Sequence, residues 1–288
     1  MSIYWPAFEF AYALDMTQLL PYLAAIESSK TASSTSVLPP PWREQPASGQ
    51  VDAPLSDPSA QADRVKEIQR RKQELLNTNA SRVHAWVRQR FVPGSAPMSL
   101  DDILTTHRMV AAESGIRYAN VGVLRQDGQR VLVGEDGIGY HAGAPALRLP
   151  RLMEDYIQFV NSASLMSMPA AVHALVAHFF FTTIHPFEDG SGRVSRLVAA
   201  GILFQRGYRG HGLYALSSHY YQNEDRYHSL IYQTQQTPLF DLTRFVAFGM
   251  EGLALELHGI DSFIKVKLNR AAGRTILTPA LRDRMERQ

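Results

Sequence analysis

Apolar residues recur along most of this chain at the three-to-four-residue spacing of amphipathic helices, and alternate at the two-residue spacing of strands in one place only. Met16, Leu19, Leu20, Leu23 and Ile26 mark a first helix after a short aromatic lead. A polar helix is predicted from Asp63 to Phe91, with a break near residues 77–79. Ser99 reads as an N-cap, with Asp101 and Asp102 in the first turn, where the helix dipole favours acids. Met153, Tyr156, Ile157 and Val160 mark another helix, and Ala171 to Thr183 a buried one. Val194, Leu197, Val198 and Ile202 line a further helix closed by Gly207. Residues 223–236 and 239–258 supply two more.

The exception is the stretch from Tyr118 to His141. There Val121, Val123, Val131 and Val133 bracket Asp127-Gly128, a pairing that reads as a β-hairpin whose turn needs positive φ. The fold class is therefore all-α, with one small hairpin. Five segments follow: a helical one over 1–27, a linker rich in Ser, Thr and Pro over 28–62, a helical lead-in over 63–98, a core over 99–259 and a basic tail over 260–288.

Composition narrows the function classes. Hydrophobic residues make up 45% and charged residues 19%, an ordinary globular balance, and a net charge of +2 gives no ground for nucleic acid or a membrane surface as partner. The chain has no cysteine, which excludes disulfides and thiolate-ligated zinc. The opening shows no signal peptide, because Glu9 and Asp15 interrupt its apolar residues, and no apolar run reaches the roughly 20 residues of a membrane helix. A cytoplasmic protein is the expectation; export by a specialised machine would leave no mark readable here.

Chemistry concentrates in residues 185–196, His-Pro-Phe-Glu-Asp-Gly-Ser-Gly-Arg-Val-Ser-Arg, between two apolar helices. Gly190, Ser191 and Gly192 open a helix, where unpaired N–H groups and the dipole make an anion site. Arg193 and Arg196, three apart, project from one side of the first turns. Asp189 suits a divalent cation whose other ligands are phosphate oxygens and water. His185 takes up a proton near neutral pH. Together these describe phosphoryl or nucleotidyl transfer to an acceptor hydroxyl.

The stretch closely resembles the Fic-family signature, His-x-Phe-x-(Asp/Glu)-Gly-Asn-Gly-Arg-x-x-Arg, and departs from it only at Ser191, where the family has Asn. Similarity extends from Leu100 to Gly259, including Gly115-Ile116-Arg117, Leu149–Asn161 and Leu216–Tyr227; the opening Trp5-Pro6-x-Phe8 also looks like the N-terminal region of some members. The resemblance implies a Fic-fold helical bundle with a hairpin flap, and protein adenylylation: AMP moves from Mg²⁺-ATP to a Ser, Thr or Tyr hydroxyl. It gives His185 the role of general base, Asp189 that of Mg²⁺ ligand, and Gly190 to Gly192 with Arg193 that of stabilising phosphate charge. Arg196 engages the γ-phosphate, Phe187 anchors the loop, and the flap, residues 121–142, holds the target protein by strand addition. By position, Tyr227 beside His228, and Gln235, line the base pocket.

Plainer readings stand beside these. His173 and His178 are core histidines rather than ligands. Asp189 and Ser191 also suit a turn or cap; Ser191 is read as a cap with a phosphate contact, since a serine cannot reproduce every hydrogen bond of Asn. Rival functions are transfer of UMP, GMP, phosphocholine or phosphate, removal of AMP, or a helical interaction protein whose site has decayed. Many Fic proteins carry an inhibitory (Ser/Thr)-x-x-x-Glu-(Gly/Asn) helix. No Glu here has Ser or Thr four residues earlier: Glu251-Gly252 follows Ala247 and Glu74 follows Arg70. Arg196 is expected to be free of an intrachain acid, so that restraint, where it exists, comes from an antitoxin-like inhibitory protein.

Overall fold

The centre of the molecule is a pair of apolar helices joined by the motif. In a computed structural model, residues 8–33, 82–111, 121–126, 131–135, 139–208, 213–237 and 239–255 are described. In chain order the elements are α1 (Met16–Ser33), α2 (82–90), α3 (Leu100–Ala111), β1 (Leu132–Glu135), β2 (Gly139–Ala142), α4 (Leu149–Val160), α5 (Ala163–Ser167), α6 (Ala170–Ile184), α7 (Ser191–Gln205), α8 (Leu213–Gln222), α9 (Glu224–Gln235) and α10 (243–255). The all-α class with a small hairpin is what the spacing predicts. The first helix continues to Ser33, past the boundary expected at Ser28. Residues 63–81 and the tail beyond 255 lie outside the described residues.

Every residue of α6 is buried. A helix apolar on all sides belongs in the middle of a domain, and α7 is its main partner, with α4 on another side. Phe179, Phe180, Phe181 and Phe187 are fully buried. The aromatic lead completes this core: Phe10 stacks on Phe159 at 4.8 Å and meets Phe180 edge-on at 5.3 Å. The backbone of Ala13 pairs with the segment before α10, where its N–H donates to Leu239 and its carbonyl accepts from Leu242. The Tyr208 hydroxyl, past the end of α7, donates to Glu27 in α1 at 2.7 Å.

Helix ends follow local chemistry. Ser99 and Asp102 form a reciprocal capping box, the Ser99 Oγ accepting from the Asp102 N–H and Asp102 Oδ2 from the Ser99 N–H. Arg90 grips the same carboxylate with two hydrogen bonds of 2.7 Å, fixing α2 against α3. At the end of α7, Gly207 at φ +86° allows its own N–H to reach Phe204 and that of Tyr208 to reach Leu203, the paired closure that glycine favours.

The hairpin is present but displaced. Leu132, Val133, Gly134 and Glu135 pair antiparallel with Ala142, His141, Tyr140 and Gly139. Val121 and Val123 lie in a turn and are 41% and 46% exposed, not in a strand. Asp127-Gly128, the expected reversal, lies outside the described residues. The physical reason for the correction is that 122–125 is held elsewhere, by hydrogen bonds to α3 and to the motif loop.

Candidate functional site

His185 ends α6. It takes the left-handed conformation at φ 51°, with its N–H donating to Phe181 at 2.9 Å. Pro186 follows, and a residue before proline is disfavoured in the right-handed helix, so the helix stops at His185. The imidazole is half-buried. Gly143, just past β2, lies so close that a methyl group there would stand 3.1 Å from His185 Cβ. The end of the hairpin and His185 are thus neighbours.

Between His185 and α7 the loop alternates inward and outward residues. Phe187 is fully buried, as the anchoring role requires, while Glu188 and Asp189 are exposed. Gly190 is the N-cap of α7 at φ +84°, a conformation that suits glycine, and it offers no side chain to cap the first turn. The Asp189 carboxylate sits beside that turn, accepting from the Gly190 N–H and pairing with Arg193 at 3.2 Å. Arg193 and Arg196 leave the same side of α7, and Arg196 leans back so that a methyl on Gly192 would lie 3.6 Å from its Nη1. Half-buried, it lies near the Tyr220 and Tyr227 hydroxyls, and burial lowers its pKa. Around the α7 N-terminus therefore stand Asp189, Gly190, Gly192, Arg193 and Arg196, with His185 at the end of α6 four residues before Asp189.

Ser191 differs from expectation. It is the first helical residue rather than the cap, and it is fully buried. Its Oγ accepts from the Phe187 N–H at 3.0 Å and donates to the Phe187 carbonyl at 3.2 Å. The hydroxyl closes the loop on itself and does not face an anion; only the Ser191 backbone is on the helix N-terminal turn.

Tyr227 and Gln235 separate as well. Tyr227 is a core residue: it stacks on Tyr220 at 4.6 Å and its hydroxyl meets His178 Nε2 at 3.0 Å. The ring that the resemblance assigns to a base pocket is thus packed in the core. His228 instead faces Glu224, 3.9 Å away. Gln235 donates its Nε2 to the buried Thr183 Oγ1 at 3.1 Å, two residues before His185, while its Oε1 is buried without a hydrogen-bond partner. Helix α9 packs against both strands of the hairpin.

His173 and His178 are core residues, as read from the sequence. Burial pushes His173 down to about 4 and His178 to about 3. Among the described residues no group of three His, Asp or Glu could hold a metal by protein ligands alone. A single half-exposed carboxylate, Asp189, beside an anion site fits a cation that keeps water and phosphate as its other ligands. Glu251 pairs with Arg226 at 3.2 Å, not with Arg196, and Glu74 lies outside the described residues. No described helix is long and apolar enough to cross a membrane.

Two residues of the site escape a reading of the motif alone. His107 on α3 stacks face to face on Phe187, with ring centres 3.8 Å apart and planes 3° from parallel. Arg125 donates its Nε to the His185 carbonyl at 2.8 Å. The signals available were a histidine on the buried stripe of α3, between Ile103 and Val110, and an arginine three residues after Gly122. The triplet Gly115-Ile116-Arg117 lies outside the described residues.

Comparison with known proteins agrees with this arrangement. Residues 97–203 match the Fic/DOC family model. Over 111 residues the chain is 32% identical to protein adenylyltransferase fic-1 of Caenorhabditis briggsae and 33% identical to protein adenylyltransferase Fic of Drosophila ananassae. In each case the match covers 38% of this chain and 20% of the relative, so the chain spans about a fifth of those proteins' length. The fold resembles a Fic family protein from Desulfovibrio desulfuricans, with TM-score 0.54 and 20% identity over 85% of this chain and 64% of that one. It also resembles a Fic domain containing signaling protein from Bacteroides thetaiotaomicron, with TM-score 0.55 and 16% identity over 85% of this chain and 89% of the other. Motif, helical architecture and family model thus agree over one part of the chain, and residues 97–203 are what resembles the Fic/DOC family.

Proposed function

We propose that this protein transfers AMP from ATP to a Ser, Thr or Tyr hydroxyl of a target protein, with His185 as general base. The observation that carries the reading is the position of His185. It ends α6 next to Gly143, just past the hairpin, and four residues further on Asp189 pairs with Arg193 at the start of α7. An acceptor side chain held along the hairpin would bring its hydroxyl to the imidazole, and ATP phosphates would lie on the helix N-terminus. His185 takes the hydroxyl proton, the oxygen attacks the α-phosphorus, and pyrophosphate leaves. Developing negative charge meets the N–H groups of the first turn and the Arg193 guanidinium, fixed before the reaction begins. Arg196 meets the far end of the triphosphate. Asp189 would hold a Mg²⁺ ion, which would supply charge neutralisation for the phosphates. The unpartnered Gln235 Oε1 suits the exocyclic amine of adenine, a donor that guanine lacks at that position.

Ser191 is no ground for a decayed site, because its hydroxyl braces the loop. The test is incubation with cell lysate and Mg²⁺-ATP labelled on either the α- or the γ-phosphate. Label on protein from α-labelled ATP alone supports adenylylation; label from γ-labelled ATP alone makes the protein kinase-like.

A further inference from the structure

We infer that His107 and Arg125 are positioning residues that hold the motif loop, and with it His185, in its working shape; the catalytic part of this inference rests on the function proposed above. A helix that stops abruptly leaves carbonyls without partners, and a loop that must hold a base and a metal ligand has to satisfy its own as well. The carbonyls of Ile184 and Pro186 accept backbone N–H groups from Ala144 and Arg125, both at 2.9 Å. The His185 carbonyl accepts from Arg125 Nε at 2.8 Å, and the same guanidinium reaches the Ala144 carbonyl through Nη2 at 2.7 Å. One planar fork therefore ties the backbone of the base to the segment leading out of the hairpin. A Lys ammonium lacks that fixed geometry. The positive charge also lies at the negative end of the α6 dipole, where a cation is favoured.

His107 holds the other end of the loop. Its Nδ1 accepts the Gly122 N–H at 2.9 Å, so the ring proton is on Nε2, which donates to the Asp189 carbonyl at 3.1 Å. The tautomer is fixed by its partners, and burial pushes the pKa down, favouring the neutral ring this arrangement needs. Gly122 sits at φ +70°, and an added Cβ would collide with the Arg108 side chain, so the turn that offers this N–H is built for glycine. His107 and Arg125 are only 2% and 4% exposed. Neither is presented to a nucleotide, so each acts through the loop.

The test uses the full chain and compares wild type with Arg125→Lys, Arg125→Met and His107→Phe, the last keeping the ring stack on Phe187 while losing both hydrogen bonds. Three readouts are taken: kcat and KM for ATP in AMP transfer, the NMR titration of the His185 imidazole, and the melting curve. A base displaced by about 1 Å costs on the order of 100-fold. The expected result is therefore a kcat about 100-fold lower, with KM for ATP within about threefold and no rescue by Lys. The His185 resonance shifts in position and pKa in the same variants. In a His185→Ala background, Arg125→Lys brings no further loss of transfer.

Cooperatively melting variants with wild-type kcat and an unchanged His185 titration overturn the inference. If Arg125→Met or His107→Phe fails to fold, Arg125→Lys, which keeps the charge and stem, decides by the same criteria. If wild type transfers nothing yet the His185 titration moves in the variants, the positioning role stands and the proposed reaction fails.

Discussion

Between Ile184 and Asp189, five carbonyls accept hydrogen bonds from residues as distant in sequence as His107, Arg125 and Ala144, and from Ser191 nearby. The hairpin at 132–142 is held differently. Its two strands bond to each other, and among the described residues no third strand joins them. A two-stranded hairpin is marginal without support, and α9 is what lies against it. The contrast separates two tasks: the loop is fixed in one geometry by distant partners, whereas under the proposed function the outer edge of the hairpin would pair with the backbone of a target.

The largest expected effect comes from breaking the loop side at its centre. His185→Ala is expected to lower kcat by 10²–10⁴, the usual contribution of a general base, while nucleotide affinity and melting temperature stay near wild type. Kinetics with a fluorescent ATP analogue and a thermal melt check both halves. A variant with full activity removes His185 from the mechanism.

On the hairpin side the effect is smaller and falls on a different constant. Gly143 N–H donates to Val131 in this register, so the Gly134–Tyr140 pair is a non-hydrogen-bonded one and Gly134→Pro removes a donor from the outer edge of β1. KM for the target protein is expected to rise about tenfold with KM for ATP unchanged, a loss comparable to one or two hydrogen bonds. A fall in kcat with both KM values unchanged would show that the hairpin serves the chemistry rather than recognition.

Ser191→Ala sharpens the comparison through stability. It leaves the buried Phe187 N–H without an acceptor, which costs about 1–3 kcal/mol, or roughly 2–4 °C of melting temperature for each kcal/mol. An unchanged melt would show that water or a relaxed loop replaces the hydroxyl.

Acid reaches the same region more gradually. Burial keeps His107, His173 and His178 neutral in the fold, with His173 at about 4 and His178 at about 3. The unfolded chain takes up these protons near pH 6.5, so it binds more protons than the fold below that value. Stability is therefore full above about pH 6.5 and is lost as pH falls toward about 4. Melts across that range are expected to be flat on the alkaline side and to decline below about pH 6.

Much of this was legible in the sequence. The periods of α4, α6 and α7 follow from buried stripes, and the ends at Ser99 and Gly207 follow from short-range backbone chemistry. The motif announced His185, Asp189, Gly190 and Arg193 because they lie within one turn and one helix start. The hairpin was misplaced because the chain offers two Asp-Gly pairs, 127–128 and 136–137, and the alternating valines fit the first. The choice is made by long-range contacts, since Arg125 is committed to the loop and Gly143 to His185. Ser191 was given to phosphate because a motif read as a string does not show which way a side chain turns. Tyr227 was given to the base for the same reason, while its hydroxyl is bonded to His178 inside the core. His107 and Arg125 were missed because their partners lie 82 and 60 residues away.

The central claim is that the braced loop presents the α-phosphorus of ATP to an acceptor hydroxyl at His185. The direct measurement is the phosphorus balance of a turnover, followed by ³¹P NMR with the target protein or with self-modification as acceptor. One pyrophosphate released for each modified hydroxyl, abolished in His185→Ala, is the predicted result. Release of ADP in that stoichiometry, or pyrophosphate formation that survives His185→Ala, would contradict it.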